Sequence, residues 1–171
     1  MKKTKNIIAS LLISAGFVTP ALAAVTHTGK AVNSVTVVTE SATSSTGSTA
    51  FTNLPGASVT IKVPAGKTQL VQAQFSSQSI CFANVGFSWC AIRILADGVE
   101  MAPADGINFA YDSTSTDGQA GAFFKALSMD RTIVLGAGTH TITAQWAVHD
   151  SGLSFQIDNW TYTVTQYASG K

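Results

Sequence analysis

The side chains able to do chemistry are few. The histidines are His27, His140 and His149, the cysteines Cys81 and Cys90, and the acids number nine. A serine hydrolase on an α/β scaffold would carry its nucleophile in a G-x-S-x-G elbow, and no such elbow occurs. A His-based triad needs three side chains to converge. His27 lies near the chain start, His140 follows the Gly136-Ala137-Gly138 turn, and His149 sits beside Asp150 at a strand end. Such positions suit solvated turn residues. Glycoside hydrolysis needs two carboxyl groups facing one bond. Asp97, Glu100 and Asp105 are close in sequence but fall in or beside turns, where Asp caps backbone groups. The histidines are too scattered for zinc ligation. Asp112 to Gly118 alternates oxygen-bearing residues but lacks EF-hand spacing and the distal Glu. The residues therefore define no catalytic set, no metal site and no cofactor site.

The cysteines carry more information. Val71, Ala73 and Phe75 share odd parity with Cys81, and Ile92 and Ile94 share even parity with Cys90. Side chains in a strand alternate between its faces. Both thiols are thus expected on the core side of two strands that form a hairpin, with residues 83–88 connecting them. C-x-x-C spacing is absent and no histidine lies nearby. A structural disulfide between Cys81 and Cys90 is the expectation, in an oxidising compartment.

For binding, the loop next to Cys90 stands out. Trp89 takes the parity opposite Cys90, with Phe87 beside it and Arg93 on the Trp89 side of the strand. Trp89, Phe87 and Arg93 are the candidate ligand contacts. The competing role for Trp89 is packing on the second sheet or under Arg93. Trp146, Trp160 and Tyr162 share parity with apolar neighbours and belong to the expected core.

The elements that hold these residues are strands. Val59-Ile61-Val63, Ile107-Phe109-Tyr111, Ile142-Ala144-Trp146-Val148 and Trp160-Tyr162-Val164 all repeat with period two. Arg131 to Leu135 is a short β-branched run, and a phase switch at Asp158-Asn159 marks a bulge. Turn signals fall at Pro64–Lys67, Asp97-Gly98, Gly136–Gly138 and Asp150–Gly152. No segment carries a helical period of useful length. The expectation is an all-β, antiparallel β-sandwich, a jelly roll of about eight strands. Val35 to Val38 reads as an edge strand, and Thr39 to Ala50 as a Ser/Thr-rich flexible segment.

The N-terminus has the layout of a secretory signal: Lys2, Lys3 and Lys5, an apolar run from Ile7 to Val18, then Pro20 and the Ala21-Leu22-Ala23 cleavage site. The domain reading is a signal peptide over 1–23, an N-terminal strand with its flexible segment over 24–50, and the sandwich over 51–171. Cleavage removes three lysines and leaves seven basic against nine acidic residues, a formal charge of −2. That balance offers no footprint for nucleic acid and no polybasic attraction to a membrane. The apolar run is shorter than the roughly 20 residues that a membrane span needs.

VPAGKTQLVQAQFSSQSIC, WCAIRILADGVEMAP, LSMDRTIVLGAGTHTITAQWAV and FQIDNWTYTV together resemble small secreted bacterial β-sandwich modules, jelly rolls of the tumour-necrosis-factor and complement-C1q kind. The resemblance spans residues 55 to 165 and implies binding or assembly, including homotrimers. It brings no catalytic residues with it.

The functional expectation is an extracytoplasmic, non-enzymatic binding or assembly module, secreted or periplasmic, whose partner is an extracellular protein or a glycan. One alternative is a fimbrial subunit that exchanges strands at a sheet edge. Against it, the cysteines are close together and Tyr167 is followed by Ala-Ser-Gly-Lys. A carbohydrate-binding module would stack sugars on Trp89. A secreted hydrolase would have to draw on Asp97 or His140.

Overall fold

The computed structural model describes residues 29–83, 87–114 and 123–169. The signal peptide, His27, and positions 115–118 of the oxygen-rich loop lie outside them.

Among the described residues, ten strands form two antiparallel sheets. They are β1 (Gly29–Glu40), β2 (Ser44–Thr46), β3 (Thr52–Val63), β4 (Gln69–Phe82), β5 (Trp89–Ala96), β6 (Val99–Glu100), β7 (Asp112–Ser113), β8 (Lys125–Leu135), β9 (Gly138–Val148) and β10 (Ser154–Ser169). One sheet runs β1-β10-β4-β8, with β2 also on β10. The other runs β3-β9-β5-β6, with β7 also on β5. The pairs are nested: β1 with β10, β3 with β9, β4 with β8, β5 with β6. The chain is thus one long double ribbon, and wrapping it brings β4 onto β10 and β5 onto β9. This is a jelly roll. The nested pairs account for the expected eight strands, and β2 and β7, stubs of three and two residues, bring the number to ten.

Alternation builds the core. Val71, Ala73, Phe75 and Cys81 from β4 meet Ile92, Ile94, Ile142, Trp146, Trp160 and Tyr162, all buried. Phe75 sits at the centre, with ring centroids 6.0 Å from Tyr111, 5.9 Å from Trp160 and 6.2 Å from Tyr162. Each such side chain taken from water stabilises the fold by about 1.5–3 kcal/mol. The expected bulge is present: the β4–β10 register shifts between Asp158 and Thr161, and Asn159 takes φ 45°. It moves the inward parity from Phe155 and Ile157 to Trp160, Tyr162 and Val164.

Three expectations change. Cys81 and Cys90 do form a disulfide, with Cα atoms 5.8 Å apart, but they do not lie on paired neighbours. Cys81 lies next to the end of β4 in one sheet and Cys90 belongs to β5 in the other, so the bridge staples the two sheets at one pole. Parity shows that both thiols face inward; it does not show that their strands belong to opposite layers. Ile107 to Tyr111 is not a strand. Gly106–Asn108 forms a single 3-10 turn, and the Ala102-Pro103 peptide bond is cis. The Ser/Thr-rich stretch from Thr39 to Ala50 is not wholly irregular, because Ser44–Thr46 pairs with Phe155–Ile157.

Candidate functional site

β5 begins and β4 ends at the disulfide pole, where β8 also begins and β9 ends. All three candidate contacts lie on β5 or just before it. Phe87 is 66% exposed inside the disulfide-closed loop. Trp89 is half-buried. Its indole N–H donates to the Ile107 carbonyl (2.7 Å), and its ring stacks on His149 with centroids 3.7 Å apart. The polar edge and one face of Trp89 are thus occupied. Arg93 points out of the second sheet, where Nε and Nη2 donate to Gln145 Oε1 (2.9 and 2.8 Å). Its guanidinium lies 4.1 Å from the Phe51 ring centroid and its Nη1 is 3.8 Å from Glu100 Oε2. Arg93 therefore shapes the sheet surface and does not join Phe87.

The structure adds residues that the sequence reading passed over. Phe82, Phe123 and Phe124 are exposed at this same pole, Phe123 at 76%. Ser79 pairs with Lys125, so Phe123-Phe124 lies just beyond the end of the β4–β8 ladder. A signal was available. Phe124 shares parity with Ala126, Ser128, Asp130 and Thr132, the polar face of β8, so adjacent phenylalanines could not both enter the core.

The polar clusters are internally engaged. At the phenylalanine pole, Ser88 Oγ donates to Asp150 Oδ2 (2.6 Å), and His149 Nδ1 lies 3.0 Å from the same oxygen. His149 Nδ1 makes no well-directed hydrogen bond there, so the contact is one of proximity. Asp150 stands between Ser88 and His149. A nucleophile needs the reverse order, with histidine touching the hydroxyl. Ser88, followed by His149, lowers the Asp150 pKa from its ordinary value. Below it, buried Asp112 accepts from Ser79 Oγ (2.9 Å), the Ser113 N–H (2.8 Å) and Lys125 Nζ (2.8 Å).

At the opposite pole, Asp97-Gly98 turns with φ 50° and 84°, both positive as in a type I′ hairpin turn. Asp97 Oδ1 accepts from the Thr141 N–H (2.8 Å), and Oδ2 meets His140 Nδ1 (2.7 Å). His140 Nε2 faces the Gly136 carbonyl (2.9 Å), so the nitrogen that would serve a nucleophile is taken by backbone. Glu100 is spent elsewhere, accepting from the Gly106 N–H (2.9 Å). The carboxylates of this stretch thus serve separate backbone groups.

A depression of about 340 Å³ lies beside the β10 bulge, lined by Thr39, Glu40, Ser41, Asn159, Trp160 and Thr161. Its one acid, Glu40, already accepts from the N–H groups of Ser41 and Ala42 (2.8 and 2.9 Å). Among the described residues, no group of three or more His, Cys, Asp or Glu comes together to hold a metal ion. Nor is any helix there long and apolar enough to cross a membrane.

Set against known proteins, the chain matches no family model and no curated protein. The functional reading rests on this geometry.

Proposed function

We propose that the chain is an exported, non-enzymatic binding module of the bacterial exterior or periplasm, and that it grips a protein partner with its disulfide pole. The observation that carries this is the gathering of Phe82, Phe87, Phe123 and Phe124, exposed, at the one end of the sandwich that a disulfide staples. Exposed aromatics grouped on a rigid frame favour association, because their apolar area is large and little entropy is lost in fixing them. A protein partner is favoured over a glycan. The residue best suited to stack on sugar, Trp89, has a face covered by His149 and its N–H satisfied, and phenylalanine has no polar tip to offer hydroxyls. The export signal over residues 1–23 and the disulfide support an oxidising compartment. The nested strand order supports a module resembling tumour-necrosis-factor and C1q jelly rolls.

The test uses labelled, exported protein and the intact surface of the cells that secrete it. A Phe87→Ser/Phe123→Ser variant should lose binding while its melting temperature stays unchanged. Retained binding refutes the pole as the contact. Binding that polysaccharide competes away and protease treatment of the cells does not would move the assignment to a glycan.

A further inference from the structure

A two-sheet sandwich leaves strand edges whose backbone groups can recruit another chain, and proteins usually block them. Most are blocked here. At β8, Ala102 exchanges both backbone hydrogen bonds with Thr132 (2.9 Å each), and the next residue, Pro103, has no N–H to offer. β3 also ends its sheet, but Pro55 and Gly56 interrupt its first half, and its regular stretch Ser58–Val63 carries the charge of Lys62 and turns Val59, Ile61 and Val63 into the core. On the far side of that sheet, β6 and β7 are two-residue stubs.

β1 differs. Among the described strands it pairs with β10 alone and ends its sheet. Its first half carries register shifts between Gly29 and Ser34, but from Ser34 to Glu40 the pairing is unbroken. Ala31 to Thr39 contains no proline and no charge, and Val35 to Thr39 is β-branched throughout. The stretch is open on both faces: Val35 is 53% and Val37 54% exposed, and Ser34, Thr36 and Thr39 are exposed as well. An uncharged, β-branched strand with a free edge is a template for pairing.

We infer that this edge takes a second copy of the same chain, antiparallel, about a two-fold axis at Val37. Val37 is the midpoint of the regular stretch Ser34–Glu40, so this register pairs all of it. Val37 then faces its own image, Val35 faces Thr39, and Thr36 faces Val38. The outer row Val35-Val37-Thr39 forms β-branched cross-strand pairs. Charge selects the direction. Lys30 and Glu40 stand at opposite ends of β1, and the antiparallel register sets Glu40 against Ser34 of the second copy and keeps each charge away from its own image. A parallel copy sets like against like. The contact is isologous and closed, which yields a dimer and not a fibre. It is independent of the phenylalanine pole.

Light scattering of the full exported protein should give twice the chain mass. Val35→Lys/Val37→Lys should give the single-chain mass with an unchanged far-ultraviolet circular dichroism spectrum, since both sites are on the surface of the single chain. Val37→Cys should form a covalent dimer on oxidation, whereas Val134→Cys, exposed on β8, should not. A single-chain mass at high concentration, a trimeric mass, or a dimer indifferent to both lysines would overturn the inference. So would equal crosslinking at positions 37 and 134.

Discussion

His140 and Asp97 join two turns that lie 43 residues apart in sequence, with Nδ1 and Oδ2 2.7 Å apart. Because Nε2 also faces an acceptor, the Gly136 carbonyl at 2.9 Å, only the doubly protonated imidazolium satisfies both contacts. Asp97, and then the Gly136 carbonyl, raises the His140 pKa. The Thr141 N–H, and then His140, lowers that of Asp97. The link ties the β5–β6 turn to the β8–β9 turn and closes the pole away from the disulfide.

The pH dependence follows from the signs. His140, raised in the folded state, contributes stability fully below its unfolded value of about 6.5 and loses it as pH rises through the folded value. Asp97, lowered, contributes above about 3.9 and loses that contribution as pH falls through its folded value. Both charges are present between those limits. His140→Ala should therefore lower the melting temperature most near about pH 5.5 and least near about pH 9. Melts of both proteins across that range would check it. A gap that widens with pH would show that the pair does not act as an ion pair.

The disulfide closes a short loop, with its cysteines nine residues apart. Cys81→Ala/Cys90→Ala should lower stability by roughly 2–3 kcal/mol, largely through the freedom returned to the unfolded chain. Urea unfolding of the variant, beside the reduced and oxidised wild type, measures this. Coinciding midpoints would show that the bridge adds no stability to the folded sandwich.

Much of this was legible in residue alternation. The inward row Val71-Ala73-Phe75-Cys81, the bulge at Asp158-Asn159 and the buried Trp146, Trp160 and Tyr162 all follow from period two, because a half-buried strand must separate its faces. Alternation is silent on which sheet a strand joins, so Cys81 and Cys90 read as hairpin neighbours although they bridge layers. It also misread Ile107-Phe109-Tyr111, where alternating apolar residues line a turn that packs on β5. The edge strand over Val35 to Val38 was legible too, and β1 does end its sheet; the exposure of Val35 and Val37 follows from that place. Trp89 showed the opposite limit: its parity is outward, yet Ile107 and His149 cover it from elements distant in sequence.

Two buried tyrosines separate the value of a satisfied hydroxyl from the cost of an orphan. Tyr111 Oη donates to the Leu127 carbonyl (2.8 Å) and, its proton so engaged, accepts from Ser77 Oγ (2.9 Å). Tyr162 Oη is buried and has no partner among the described residues. Burial pushes the Tyr111 pKa up to about 12 and raises that of Tyr162 as well. Tyr111→Phe strands two partners and should cost about 1–2 kcal/mol, while Tyr162→Phe removes an unpaired polar atom and should be neutral or stabilising. The raised values also fix the response to alkali. Each tyrosine's contribution is intact below its unfolded value of about 10 and is lost as pH rises toward the folded value. Wild type should therefore lose stability above about pH 10 more steeply than either variant. Equal losses for the two substitutions at neutral pH would mean that Tyr162 finds a partner in solution, and that its hydroxyl supports the core as that of Tyr111 does.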